Sequence, residues 1–237
     1  PDAWSAWKAV LLAQLYESAL QTMLRPYQDA QGARRERVPG EDELHAALAP
    51  VLPAGGIAAY VDNLGENYLA AHTAGEVALH AGLLEEAATA DHGVHVRARS
   101  THWEITVAAV DEKALLYRIA GALTLLDLSI LSARIYTLGG GKAVDRFWVG
   151  IPGEDDVTVA SLREALLREL ASDLRLHRQE LRALRDRYRL RQRTILDTGT
   201  QPKVLISNEL SDFFTVLDVT CRDQIGILFQ VALVFSE

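Results

Sequence analysis

The sequence predicts an α+β protein: a helical N-terminal segment, a β-α-β-β-α-β unit, and a truncated second copy of that unit. Three observations carry this reading. Apolar residues recur at three- and four-residue steps through roughly the first 90 residues, where β-branched residues are few. Near residue 95 the period falls to two, the spacing of a strand with one buried face. The strand-then-helix pattern that begins at Trp103 returns roughly 110 residues later, an internal repeat.

The elements follow in order. Trp4, Trp7, Leu11, Leu15 and Ala19 form one apolar stripe, Asp2 stands where an N-cap would, and Pro26 ends the helix. Residues 28–40, with Arg34, Arg35 and Arg37, read as a loop. Helical pattern covers 41–48, is broken by Pro50, Pro53, Gly55 and Gly56, and returns over 57–69. Thr73 with Glu76 three residues on is a capping box, opening a helix through Val77, His80, Leu83 and Leu84 to about residue 88. Residues 102–107 alternate as a strand. Residues 113–126 are helical, and 129–138 is a second strand. Gly139, Gly140 and Gly141 reverse the chain into a third strand over 144–151. A long helix is expected from 155 to about 193, and a strand over 203–207. Leu116, Ile119, Leu123, Ile130, Ile135, Phe147 and Val149 are the expected core, with the helix on one face of an antiparallel sheet. Residues 213–220 then repeat 103–110, Asp223 repeats Asp111 at the strand-to-helix turn, and Ile227, Leu228, Val231 and Leu233 repeat the helix after it.

Composition narrows the class. In 237 residues, 49% are hydrophobic and 24% charged, which predicts a packed core and excludes a fibrous or disordered chain. The net charge of −8 argues against a general nucleic-acid coat. One cysteine, Cys221, excludes a disulfide scaffold and fits the reducing cytoplasm. No apolar run approaches the ~20 residues of a membrane helix, and no secretory leader opens the chain. Met23 is the single methionine, the first residue is Pro1, and the chain stops directly after an apolar run. These ends predict a segment of a longer polypeptide.

Some residues invite chemistry that their spacing does not support. His72 and His80 are eight apart and His92 and His95 three apart, without a Cys or carboxylate at zinc-site spacing. Solvent-facing or capping histidines are expected, and no metal. Cys221 lacks a legible Cys-His pattern and reads as a packing residue. Residues 174–193 hold eight arginines against Glu180 and Asp186, interleaved with leucines and Tyr188. That reads as a solvated or interdomain helix face; nucleic acid is an unlikely partner, because no aromatic stacking platform accompanies the charge.

The turn motifs resemble a known fold. Asp223-Gln224-Ile225-Gly226-Ile227-Leu228, after a strand and before a helix, is similar to the Asp-Arg-Pro-Gly-Leu-Leu turn of ACT domains, which are ferredoxin-like regulatory folds that commonly bind amino acids. The first copy reads Asp111-Glu112-Lys113-Ala114-Leu115-Leu116, with Ala114 where the family prefers glycine. A ligand carboxylate could be held by backbone N–H groups at Gly226 and Ile227, and an α-ammonium group by Asp223; equally, Gly226 could only permit the turn and Asp223 only cap the helix. Asp111 and Ala114 are the matching candidates in the first copy.

The order of segments resembles a larger family. Trp4-x-x-Trp7-Lys8 through Tyr16, then Asn67-Tyr68-Leu69, then the helix carrying Glu76, Val77, His80, Leu83 and Leu84, then two ACT copies, is similar to the C-terminal part of PII uridylyltransferase/uridylyl-removing enzymes. The resemblance implies a parent enzyme that transfers UMP from UTP to the PII signalling protein, with Mg as cofactor. It also implies an HD phosphohydrolase domain that removes the UMP, and tandem ACT domains that sense glutamine. The chain lacks the Gly-Ser…Asp-x-Asp and His-Asp motifs of those catalytic domains, so this part is expected to be non-catalytic and to need no cofactor. Its partners would be glutamine or another amino acid, the parent's own catalytic domains and, through them, PII. The implied division is an HD-domain tail at 1–27, a helical connector at 28–95, a first ACT domain at 96–210 and the start of a second at 211–237. An ACT-type amino-acid-binding module of an unrelated protein is the alternative.

Overall fold

The computed structural model describes residues 38–151, 157–171, 203–207, 216–221 and 225–236, with 179 and 183. The expected helix at 2–24, residues 28–37 of the expected loop at 28–40, most of the arginine-rich stretch 174–193 and Asp223 lie outside the described residues. Contacts divide the chain into two compact units. One holds the connector helices with parts of four strands. The other holds the remaining strand segments and the later helices.

Four helices open the described chain: α1 (Glu41–Leu48), α2 (Ala54–Asp62), α3 (Glu66–Ala71) and α4 (Ala74–Ala90). The helix expected from 57 starts earlier, because Pro53 takes the N-cap place and Gly55 and Gly56 fit in the first turn. It also breaks at Asn63-Leu64-Gly65 into two helices. The capping box at α4 forms as expected. Glu76 N–H donates to the Thr73 hydroxyl at 3.1 Å and Thr73 N–H donates to the Glu76 carboxylate at 2.9 Å. Leu44, Leu48, Ile57, Tyr68, Val77, Ala81 and Leu84 from these helices form one buried cluster with Ala108, Leu138 and Val144 from strands.

The sheet comprises β1 (His92–Ala98), β2 (Trp103–Val110), β3 (Ile130–Leu138) and β4 (Lys142–Val149), in the order β1-β2-β4-β3. With α5 (Leu115–Leu125) and α6 (Val159–Leu170) this is the ferredoxin-like α+β arrangement. β1 spans residue 95, where a connector was expected to end, and holds the sheet place beside β2. β5 (Lys203–Ser207) pairs instead with β6 (Val216–Thr220), antiparallel, with Leu205 opposite Asp218. Each copy thus begins with a strand that precedes its Asp-containing turn strand.

β2 is buried at six of its eight residues, five of them consecutive, so both its faces are covered. Its Ala108 belongs to the connector cluster. One face therefore carries the connector helices, where a helix on a single face was expected. The expected core needs the same correction. Ile119, Leu123, Phe147 and Val149 are fully buried, but Ile135 is 44% exposed. Leu116 and Ile130 pack against a second cluster, formed by Tyr117 and Ala120 with Phe229 and Ala232 of α7 (Ile227–Ser236). The physical reason is that α5 has two apolar neighbours, so its apolar residues run nearly all round the helix. α6 keeps a simple stripe, Leu162, Leu166 and Leu170, at four-residue steps.

Candidate functional site

The two copies share an unusual backbone feature. Ala114 has φ 72° at the N-cap of α5, and Gly226 has φ 87° one residue before α7. The first helical hydrogen bonds match as well: Arg118 N–H donates to the Ala114 carbonyl and Gln230 N–H to the Gly226 carbonyl, both at 3.0 Å. A left-handed residue directly before the helix is therefore part of the repeated motif. Glycine enters that conformation without penalty, whereas alanine does so at a cost of about 1–2 kcal/mol.

The first turn is anchored from both sides. Arg118 donates one guanidinium N–H to Glu112 and another to the Leu170 carbonyl, at 2.6 Å, at the end of α6. Asp111 is exposed, and the N-cap place belongs to Ala114. At the second turn, Ile227 is half-buried as the first residue of α7. A side chain at Gly226 would bring its Cβ within 2.9 Å of the Thr124 methyl. The close approach that glycine permits here is thus to α5 itself. Tyr117 and Phe229 stack with centroids 4.7 Å apart, joining α5 to α7. Gly226 meets the C-terminal end of α5, while Ala114 begins that helix. The candidate turns therefore lie at opposite ends of the helix pair and do not converge on one cleft. Cys221 is half-buried with a free thiol, beyond β6.

Another group of residues does converge, in the connector unit. The Tyr68 hydroxyl and His80 Nδ1 are 2.6 Å apart, and His72 Nδ1 lies 2.8 Å from the Tyr68 carbonyl. The His72 ring packs 4.4 Å from Tyr68, 4.9 Å from His80 and 4.9 Å from Tyr136 of β3. His72 and His80 are 0% and 1% exposed, against the expectation of solvent-facing or capping histidines. The reason is local: Tyr68, four residues before His72, brings a carbonyl and a hydroxyl to the two rings. That i, i+4 pairing of aromatic and histidine was the legible signal in the sequence. Burial lowers the His72 pKa from 6.5 to about 4, the Tyr68 carbonyl opposing, with Arg146 and Arg134 lowering it further. Burial raises the Tyr60 phenol to about 12 and the Tyr68 phenol further still. Glu76 lies below the usual carboxylate range. Burial opposes that shift, and the Thr73 amide and the Arg146 guanidinium outweigh it. Among the described residues, no three His, Cys, Asp or Glu side chains gather as metal ligands.

No family model and no solved structure matches the chain. Curated proteins do. The chain is 32% identical over 249 residues to a bifunctional uridylyltransferase/uridylyl-removing enzyme of Rhodospirillum rubrum. It is 30% identical over 246 residues to the enzyme of that name from Gluconobacter oxydans, and 29% over 250 to that of Azospirillum brasilense. The first two matches take in 100% of this chain and the third 98%. The chain is a relative of the bifunctional uridylyltransferase/uridylyl-removing enzymes. It spans about a quarter of their length, 25% and 26% in the first two.

Two of the segments that carried the sequence resemblance to these enzymes lie among the described residues and have a structural role. Tyr68 of the Asn67-Tyr68-Leu69 segment and His80 of the α4 motif join in the buried group, and Glu76 of that motif, half-buried, pairs with Arg146. No helix among the described residues is long and apolar enough to cross a membrane.

Proposed function

We propose that this chain is the regulatory, amino-acid-sensing section of a bifunctional uridylyltransferase/uridylyl-removing enzyme that acts on the PII signalling protein. The observation that carries this is similarity to those enzymes along the whole chain. The repeated strand, left-handed residue and helix at Ala114 and Gly226 support it, because such a turn leaves backbone N–H groups at a helix start available to a carboxylate. In this reading glutamine is the ligand. Its carboxylate meets the N–H groups around Gly226 and Ile227 and its ammonium group meets Asp223. Asp111 and Ala114 hold the weaker, matching place in the first copy. Binding acts by favouring one arrangement of the parent's catalytic domains, through a difference in affinity between states. Any Mg belongs to those domains, and the chain itself transfers no UMP.

Titration calorimetry tests the reading with glutamine, and with alanine and glutamate as comparisons. A longer chain carrying the whole second copy binds glutamine, while residues 1–237 bind it weakly or not at all. Equal affinity in the two would remove the site from the second copy. No heat from either would remove the sensing role.

A further inference from the structure

Glu76 serves two structures at once. One carboxylate oxygen, Oε2, accepts from the Thr73 N–H at 2.9 Å and the Thr73 hydroxyl at 3.0 Å, closing the cap of α4. The other, Oε1, faces Arg146 Nη1 of β4 at 3.3 Å. Arg146 in turn lies 5.1 Å from the Trp148 ring centroid. The first turn of the long connector helix is therefore completed by a residue that the sheet also holds.

Two further contacts stitch the same helices to the same strands. Tyr136 of β3 packs edge-on against Tyr68 at 5.3 Å and against His72. At the β3–β4 reversal, Gly139 N–H donates to the Asn63 carbonyl at 3.0 Å. A Cβ on Gly139 would come within 2.8 Å of the Asn63 Cβ, so only glycine allows that approach. The junction is held by directional polar contacts, and part of it is unsatisfied. His72 Nε2 is buried with no hydrogen-bond partner. Native interiors rarely keep such an atom.

We propose that Glu76 and Arg146 form a latch that holds connector helices α3 and α4 on the β3–β4 hairpin, and that releasing it frees those helices while the rest of the fold stays intact. The latch would be a conformational device independent of any ligand's identity. β2 runs from Ala108, in the connector cluster, directly into the Asp111 turn.

Amide hydrogen exchange on the 237-residue chain tests this. Arg146→Met keeps an apolar stem over Trp148 and removes the guanidinium. It raises exchange across residues 73–84 by about ten-fold and leaves 115–125 within about two-fold. Glu76→Gln keeps an oxygen for the cap and loses the charge, and acts in the same direction with smaller effect. The double variant exchanges like Arg146→Met alone, because the two groups act as a pair. Three results would overturn the latch: equal acceleration in 115–125, no acceleration in 73–84, or additive effects in the double variant.

Discussion

Ala114 and Gly226 occupy one backbone conformation, and the side chain alone separates them. Relief of about 1–2 kcal/mol at Ala114 is partly offset by the extra freedom glycine has in the unfolded chain. Ala114→Gly is thus expected to stabilise the chain by about 0.5–1 kcal/mol, read as a higher urea midpoint at unchanged slope. Gly226 tells the opposite story. A β-branched residue at φ 87° is strained before it touches anything, and its Cβ meets the Thr124 methyl. Gly226→Val should cost about 2–4 kcal/mol, measured the same way. An unchanged midpoint in Gly226→Val would mean that the turn is not left-handed there. The positive φ was readable in the sequence only through glycine at 226. Alanine at 114 gave no such signal, because nothing in an isolated alanine marks a strained site.

At the scale of elements, the capping box at Thr73, helix α1, the 130–138 strand and the 203–207 strand were legible, because each has its signal within a few residues. β1 was not. Its first three residues and Val96 are buried, so the strict alternation that marks a strand is lost at its start. Pairing was equally hidden. The strand 203–207 has the right residues for a strand, but propensity does not say whether it joins the first copy or the second. The α5 helix shows the same limit. Its apolar residues named a helix correctly, yet one face could not be chosen while α7 was out of view. Leu123, fully buried in α5, remains a sound test of the packing. Leu123→Ala is expected to cost about 2–5 kcal/mol in urea unfolding, and a loss below about 1 kcal/mol would place that side chain outside the core.

For the molecule as a whole, the buried histidine sets a dependence of stability on acidity. His72 has a folded pKa of about 4 against 6.5 in an ordinary setting. The unfolded chain therefore binds more protons than the folded one between those values, and stability rises with pH there. The contribution is fully present above about pH 6.5 and is lost as the pH falls towards 4. Its ceiling is about 3 kcal/mol at one pKa unit per 1.4 kcal/mol, and relaxation of the site brings the observed value lower. Glu76 acts in the same sense at lower pH, since its folded pKa is depressed and its stabilising ionised form is lost on protonation. The two residues stand on α4 and just before it, so acid weakens the connector's hold on the sheet from both. Urea unfolding at pH 7 and pH 5 reads the difference. His72→Phe keeps a ring beside Tyr68 and Tyr136 and removes the titrating nitrogens. It should flatten the fall in stability between pH 6.5 and 5, whatever it does to stability at pH 7. A fall as steep as that of the unaltered chain would mean that His72 is not held neutral in the fold.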